Sequence, residues 1–201
     1  FGAYLGYKAV QNQRAEAAYA AAHSIDGWRS VIRRFPSSVA AGNAYLRIAA
    51  KQAEDGKYSD SDATYESFTH QLPKHPLVMN GFLGLAQNAE AEKDLDKALQ
   101  YYTQVATQFG NSYAGPIALF YQGRITEAKG QFQAARAILE NVVQRYPDSF
   151  AAALAGHEAA RLAEKLASKT GKPGDTKPSM SPASQASPSA NASGSTAVPA
   201  K

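Results

Sequence analysis

At 201 residues, 44% hydrophobic and 19% charged, the chain can bury one sizeable core. It has no cysteine, which excludes structural disulfides and thiolate metal sites. A formal net charge of +4 does not mark a nucleic-acid binder, because residues 1–167 hold 17 Lys+Arg against 16 Asp+Glu and the C-terminal tail supplies the rest.

The opening FGAYLGYKAV is rich in aromatic and small residues, and polarity rises through Lys8, Gln11, Asn12, Gln13 and Arg14. That is the pattern of a membrane helix leaving a bilayer, with Tyr4 and Tyr7 at the headgroup level. A run this short cannot span a hydrocarbon core, which needs about 20 residues. Residues 1–14 are therefore expected to be a membrane-proximal segment, the end of an upstream transmembrane helix. The competing expectation is an N-terminal helix that packs on the unit after it.

From Ala15 to Phe35 an Ala-rich helical stretch leads to Trp28, Val31 and Phe35, with a break expected at Ser24, Asp26 and Gly27. Residues 37–73 and 77–110 then read as two helical hairpins, and 115–149 is the best-formed one. In this last unit Leu119, Gly123 and Thr126 share a stripe. Phe132, Ala135, Leu139, Val142 and Tyr146 follow at steps of three and four, the spacing of one buried helical face. Pro116 suits a first helical turn, and Gly130 can take the left-handed geometry that ends a helix.

Shifting this unit by 37 residues aligns the chain with itself. The turn column reads Gly56, Lys93, Gly130, and the terminating column reads Pro36, Pro73, Gly110, Pro147. Between them run a small column, Ser24, Ser61, Ala98, Ala135, and a large one, Trp28, Tyr65, Tyr102, Leu139. In the first helix of each unit Tyr45, Phe82 and Leu119 align, as do Ala49, Ala86 and Gly123. Generic amphipathic helices would drift out of register within two units. Phe150 to Ala167 reads as a lone closing helix, its outer face made polar by Arg161, Glu164 and Lys165. Residues 168–201, dominated by Ser, Pro, Ala, Gly and Lys, are expected to be disordered. The repeat domain is thus placed at 15–167.

These columns resemble the tetratricopeptide repeat, with its small residue, Gly turn, Ala, aromatic and terminal Pro over roughly 34 residues. The longer spacing here and phrases such as RYPDSFAAAL resemble bacterial envelope members of that family. These include the membrane-anchored ancillary subunits of the Sec translocon and periplasmic repeat proteins. The resemblance covers about residues 20–165. It implies an all-α, right-handed solenoid of antiparallel helix pairs, a membrane anchor at the bacterial inner membrane, and a repeat domain on the periplasmic side. The alternatives are a soluble, cytoplasmic repeat adaptor, or a regulatory domain of an enzyme whose catalytic part lies upstream.

Nothing in the chain spells out catalysis. His70 and His75 flank Pro73 without a third ligand, and His157-Glu158 lacks the second histidine of a zinc-protease helix. Acidic pairs such as Glu54-Asp55, Asp60-Asp62 and Asp94-Asp96 fall at helix corners, where they serve helix N-termini. No cofactor, metal, small-molecule substrate or nucleic-acid partner is expected. The expected function is a non-catalytic scaffold that binds a protein or peptide and assists translocation or envelope assembly. The family alignment puts Asn43, Leu46, Ala50, Asn80, Leu83, Gln87, Glu90, Ile117, Phe120, Arg124 and Glu127 on a concave groove. Phe120 and Arg124, an aromatic and an arginine one turn apart, are its expected centre.

Overall fold

In the computed structural model, residues 2–170 are described. They form only helices: α1 (Gly2–Ala20), α2 (Ile25–Arg34), α3 (Val39–Glu54), α4 (Tyr58–Gln71), α5 (Val78–Ala91), α6 (Leu95–Gln108), α7 (Ala114–Ala128), α8 (Phe132–Arg145) and α9 (Phe150–Thr170). The starts of α4, α6 and α8, at 58, 95 and 132, keep the 37-residue period, and so do their ends and those of α3, α5 and α7.

Each hairpin turn is closed by the same device. The amides of Lys57, Asp94 and Gln131 reach back to the carbonyls of Gln52, Ala89 and Thr126 at 2.8, 2.8 and 3.1 Å. The residue before each amide is left-handed, with φ of 73° at Gly56, 63° at Lys93 and 78° at Gly130. Glycine adopts that conformation freely, whereas a Cβ there costs about 1–2 kcal/mol. Lys93 is the exception and is exposed. Lys93→Gly should therefore stabilise the fold by about 1 kcal/mol and raise Tm by about 2–4 °C. A calorimetric scan with Tm unchanged or lowered would show that the strain is relieved elsewhere.

The corners between hairpins repeat as well. Ser38, Ser112 and Ser149 each accept a backbone amide of the following helix on Oγ, from Ala41, Ala114 and Ala152 at 3.0, 3.2 and 3.1 Å. His75 occupies the same column and does the same through Nδ1, which accepts from the Leu77 amide at 3.0 Å. Its Nε2 therefore carries the hydrogen and donates to the Val39 carbonyl at 3.1 Å. The ring is buried under Gly42, where a Cβ would stand 2.3 Å from it. His75 is thus a joint between two repeats.

Odd-numbered helices touch one another in series, α1 to α3, α3 to α5, α5 to α7 and α7 to α9, while even-numbered helices touch only their sequence neighbours. The odd helices therefore form one continuous layer, and the even helices lie across it. The core runs between the layers through Ala49, Ala86, Ala98, Tyr102, Ala135 and Leu139, all fully buried. The small and large columns of the sequence are its walls. One interface is polar instead. Asn88, where the next units have Ile125 and Leu162, donates to Ser61 Oγ and Asp62 Oδ1, each at 2.8 Å, and Lys97 holds the other Asp62 oxygen at 2.8 Å. All these groups are satisfied, so the seam orients α4, α5 and α6 without an orphaned charge.

Two expected boundaries fall inside helices. A division between residues 14 and 15 lies within α1, which starts 37 residues before α3 and packs on α2 and α3. Residues 2–14 are the first part of that helix, and α1 with α2 makes the first unit. That unit is irregular: α1 runs past the usual stop, and α2 begins late, capped by Ser24 Oγ, which accepts from the Gly27 amide at 3.2 Å. At the other end α9 continues to Thr170, past the expected break at Ser168. The remainder of the expected tail lies outside the described residues. Among the described residues no helix is long and apolar enough to cross a membrane.

Candidate inner-layer binding surface

The residues expected in the groove all lie on the odd helices, but they divide into three sets. Leu83 and Phe120 are buried, at 9% and 8% exposure. Phe120 belongs to the cluster that α8 and α9 close over α7, with Leu139, Val142, Ala152 and Ala155. Phe120 was expected to anchor a partner; here its ring is buried, with α9 packed on that side of α7. Asn43, Leu46, Ala50, Asn80, Glu90, Ile117 and Glu127 are half-buried, and Leu46 leans on the Ala49–Tyr65–Leu85 cluster. Gln87 and Arg124 are exposed.

Gln87 and Arg124 share a repeat column that continues to Arg161, so three successive odd helices present a polar side chain at one height. Their surroundings decide which remain available. Arg161 is engaged by Glu127 at 2.6 Å and by Glu158 at 2.7 Å. Glu127 is thus paired between units, with Arg161 of α9. Glu90 is likewise occupied, accepting from the Tyr102 hydroxyl at 2.5 Å. Burial first, and then this bond, push the Tyr102 hydroxyl well above the usual tyrosine range, so it stays a donor. Arg124 stands over the Tyr121 ring at 5.6 Å, and that ring is stacked on Tyr102 at 5.1 Å. A guanidinium fixed on an aromatic face keeps its donors free for a carboxylate or carbonyl. Asn80 accepts a hydrogen bond from the hydroxyl of Tyr113. That link ties the surface to the corner before α7. Neither Tyr121 nor Tyr113 figured among the expected site residues. The signal for Tyr121 was its place three residues before Arg124, the distance of adjacent positions on one helix face.

The arrangement offers hydrogen-bond donors beside half-buried apolar patches and assembles no catalytic group. Among the described residues no cluster of three His, Asp or Glu could hold a metal ion. His23, His70 and His157 are exposed and scattered over α9 and the neighbourhoods of α2 and α4.

The sequence profile of the tetratricopeptide repeat matches residues 81–112 and 117–149. The chain carries tetratricopeptide repeats. The matched segments fall on the α5–α6 and α7–α8 hairpins. Among solved structures the chain is similar to the nearly identical TPR-like repeats of a kinesin light chain from Podosopora anserina. Identity is 16%, coverage 80% of this chain and 87% of that one, and the TM-score 0.56. A variant of those repeats gives the same identity and coverage and a TM-score of 0.57. At that identity the likeness establishes the shared solenoid fold and nothing about ligands. No curated protein matches the chain in sequence.

Proposed function

We propose that the protein is a non-catalytic interaction scaffold that holds a linear segment of a partner protein along the inner layer. Tetratricopeptide repeats suit protein–protein interaction, and the fixed, available guanidinium of Arg124 beside Gln87 carries the reading. A strand or loop laid across α5 and α7 would give a carboxylate or backbone carbonyl to Arg124 and a backbone amide to Gln87, with Ile117 and Leu46 as apolar contacts. We further propose that the scaffold works at the bacterial inner membrane with its repeats in the periplasm, assisting translocation or assembly of envelope proteins. The resemblance of its repeat phrases to envelope proteins supports that placement.

Both exposed side chains can be removed without touching the core. Gln87→Ala and Arg124→Ala should each weaken partner capture by more than about 1 kcal/mol, roughly fivefold, while helical circular dichroism is unchanged. Crosslinking in a native envelope preparation, followed by recovery of the wild type and both variants, makes the comparison. Identical partner profiles for all three would move binding away from the inner layer.

A further inference from the structure

The repeat period places one apolar residue of each unit in an unexpected position. The column that opens the odd helices reads Val39, Pro76, Tyr113, Phe150. Val39, Tyr113 and Phe150 are 47%, 53% and 80% exposed, and Pro76 is exposed as well. These are among the largest apolar exposures in the described chain, and they fall in line along one edge of the solenoid. Neighbouring helices stand about 8–10 Å apart, so the line is roughly 30 Å long. Tyr7, 64% exposed, stands at the same edge, beside the corner between α2 and α3.

Charge segregates in the same sense. The corners along this edge carry exposed Arg34, Lys74 and Arg145, joined by Lys8 from α1, against the single exposed carboxylate of Asp148. Arg34 and Arg145 each stand over the aromatic ring that follows them, Phe35 at 5.2 Å and Tyr146 at 5.3 Å. Shallow depressions lie between the corners. One of about 400 Å³ is lined in part by Lys8 and Arg34, one of about 310 Å³ by Lys74, and one of about 460 Å³ by Arg145. The opposite edge, made of the hairpin turns, is mixed in charge: Glu54, Asp55, Asp60, Glu92, Asp94 and Asp96 stand among Lys51, Lys57, Lys93, Lys97 and Lys129, and Lys51 and Lys129 are paired with carboxylates of that edge.

We propose that the basic, apolar edge is a contact surface for an anionic lipid bilayer. Val39, Pro76, Tyr113 and Phe150 enter the headgroup boundary, and Lys8, Arg34, Lys74 and Arg145 meet the lipid phosphates. A ridge of protruding side chains fits a soft, flat surface, where each chain can sink independently. A peptide would need walls, and an 80% exposed Phe150 has none. Aromatic tips flanked by cations are the composition that partitions into the interface, and attraction to anionic headgroups adds for each cation. The contact is peripheral, needs no membrane-spanning segment, and is independent of capture by the inner layer.

Flotation of the full 201-residue chain with vesicles tests it. The vesicles are phosphatidylcholine alone, or with roughly a third phosphatidylglycerol. The chain should float with the anionic vesicles and not the neutral ones, and rising salt should reduce the bound fraction. Val39→Ser with Phe150→Ser, and separately Lys74→Glu with Arg145→Glu, should each lower binding at least about fivefold with helical content unchanged. Binding equal to wild type in both double variants would overturn the proposal, since the contact would then lie on another face or in residues 171–201. Absence of binding to anionic vesicles would also overturn it. So would a self-associated species lost in the same variants without vesicle binding, which would make the edge an interface between copies. Both double variants should capture an inner-layer partner as wild type does, which separates failure here from failure of the scaffold reading.

Discussion

Phe120→Ala should be among the most destabilising single changes in the chain, costing about 3–5 kcal/mol and lowering Tm on the order of 10 °C. The ring is 8% exposed and meets Tyr121 edge-on at 5.5 Å, inside the cluster that joins α7, α8 and α9. Removing it leaves a cavity where α9 rests on α7, and the small Ala151, Ala152, Ala155 and Ala159 cannot reach in to fill it. Repeat arrays lose their ends before their middles, because each unit is held only by its neighbours. Hydrogen exchange should therefore show α8 and α9 losing protection first, with α4 to α6 little changed. Uniform loss of protection would mean that the array unfolds as one unit. If stability is unchanged and only partner capture falls, Phe120 is a binding residue after all and α9 does not pack here in solution.

That prediction reverses the role Phe120 has in the sequence, and the reason lies in the period. A column shows which helix face a residue shares with its counterparts, and Leu46, Leu83 and Phe120 do share one. It does not show what covers that face, and at the end of the array α9 crosses α7 and covers it. The first unit misleads in the opposite direction. Ala44, Gly81 and Ala118 are buried, whereas Tyr7 in the same column stands 64% exposed, so the column does not carry its burial into α1.

Corners were more legible than faces because local hydrogen bonding alone determines them. Gly56 and Gly130 announce their turns, and Pro36, Pro73 and Pro147 announce the stops of α2, α4 and α8. Long-range polar partners were not legible. Asn88 stands where the next two units have Ile125 and Leu162, and only the fold shows that Ser61 and Asp62, 27 and 26 residues earlier, satisfy it, with Lys97 on the other oxygen of Asp62. The exposed column through Val39, Tyr113 and Phe150 was present in the sequence but looked like ordinary helix starts until exposure distinguished it.

Gly123→Leu should destabilise the fold by about 1–3 kcal/mol through overpacking. Gly123 and Ala135 belong to the small columns of their two helices, which puts the closest approach of α7 and α8 there. The approach is real, and the nearer neighbour is Leu139. A Cβ on Gly123 would lie 2.7 Å from Leu139 Cδ2 and 2.8 Å from Cγ, with the Ala135 carbonyl oxygen at 3.6 Å. Leu139 is fully buried and cannot swing to solvent, so α8 must move away from α7 or the new side chain must leave its rotamer. Gly156 on α9 is an open position by comparison, with only Val143 at 3.8 Å. Gly156→Leu should change Tm by less than about 2 °C, which controls for the intrinsic helix preference of leucine over glycine. Space made at the contact should repair the damage: Gly123→Leu combined with Leu139→Ala should be more stable than the sum of the single effects. Strict additivity in chemical denaturation would place the strain of Gly123→Leu somewhere other than Leu139, and with it the line of closest approach between α7 and α8.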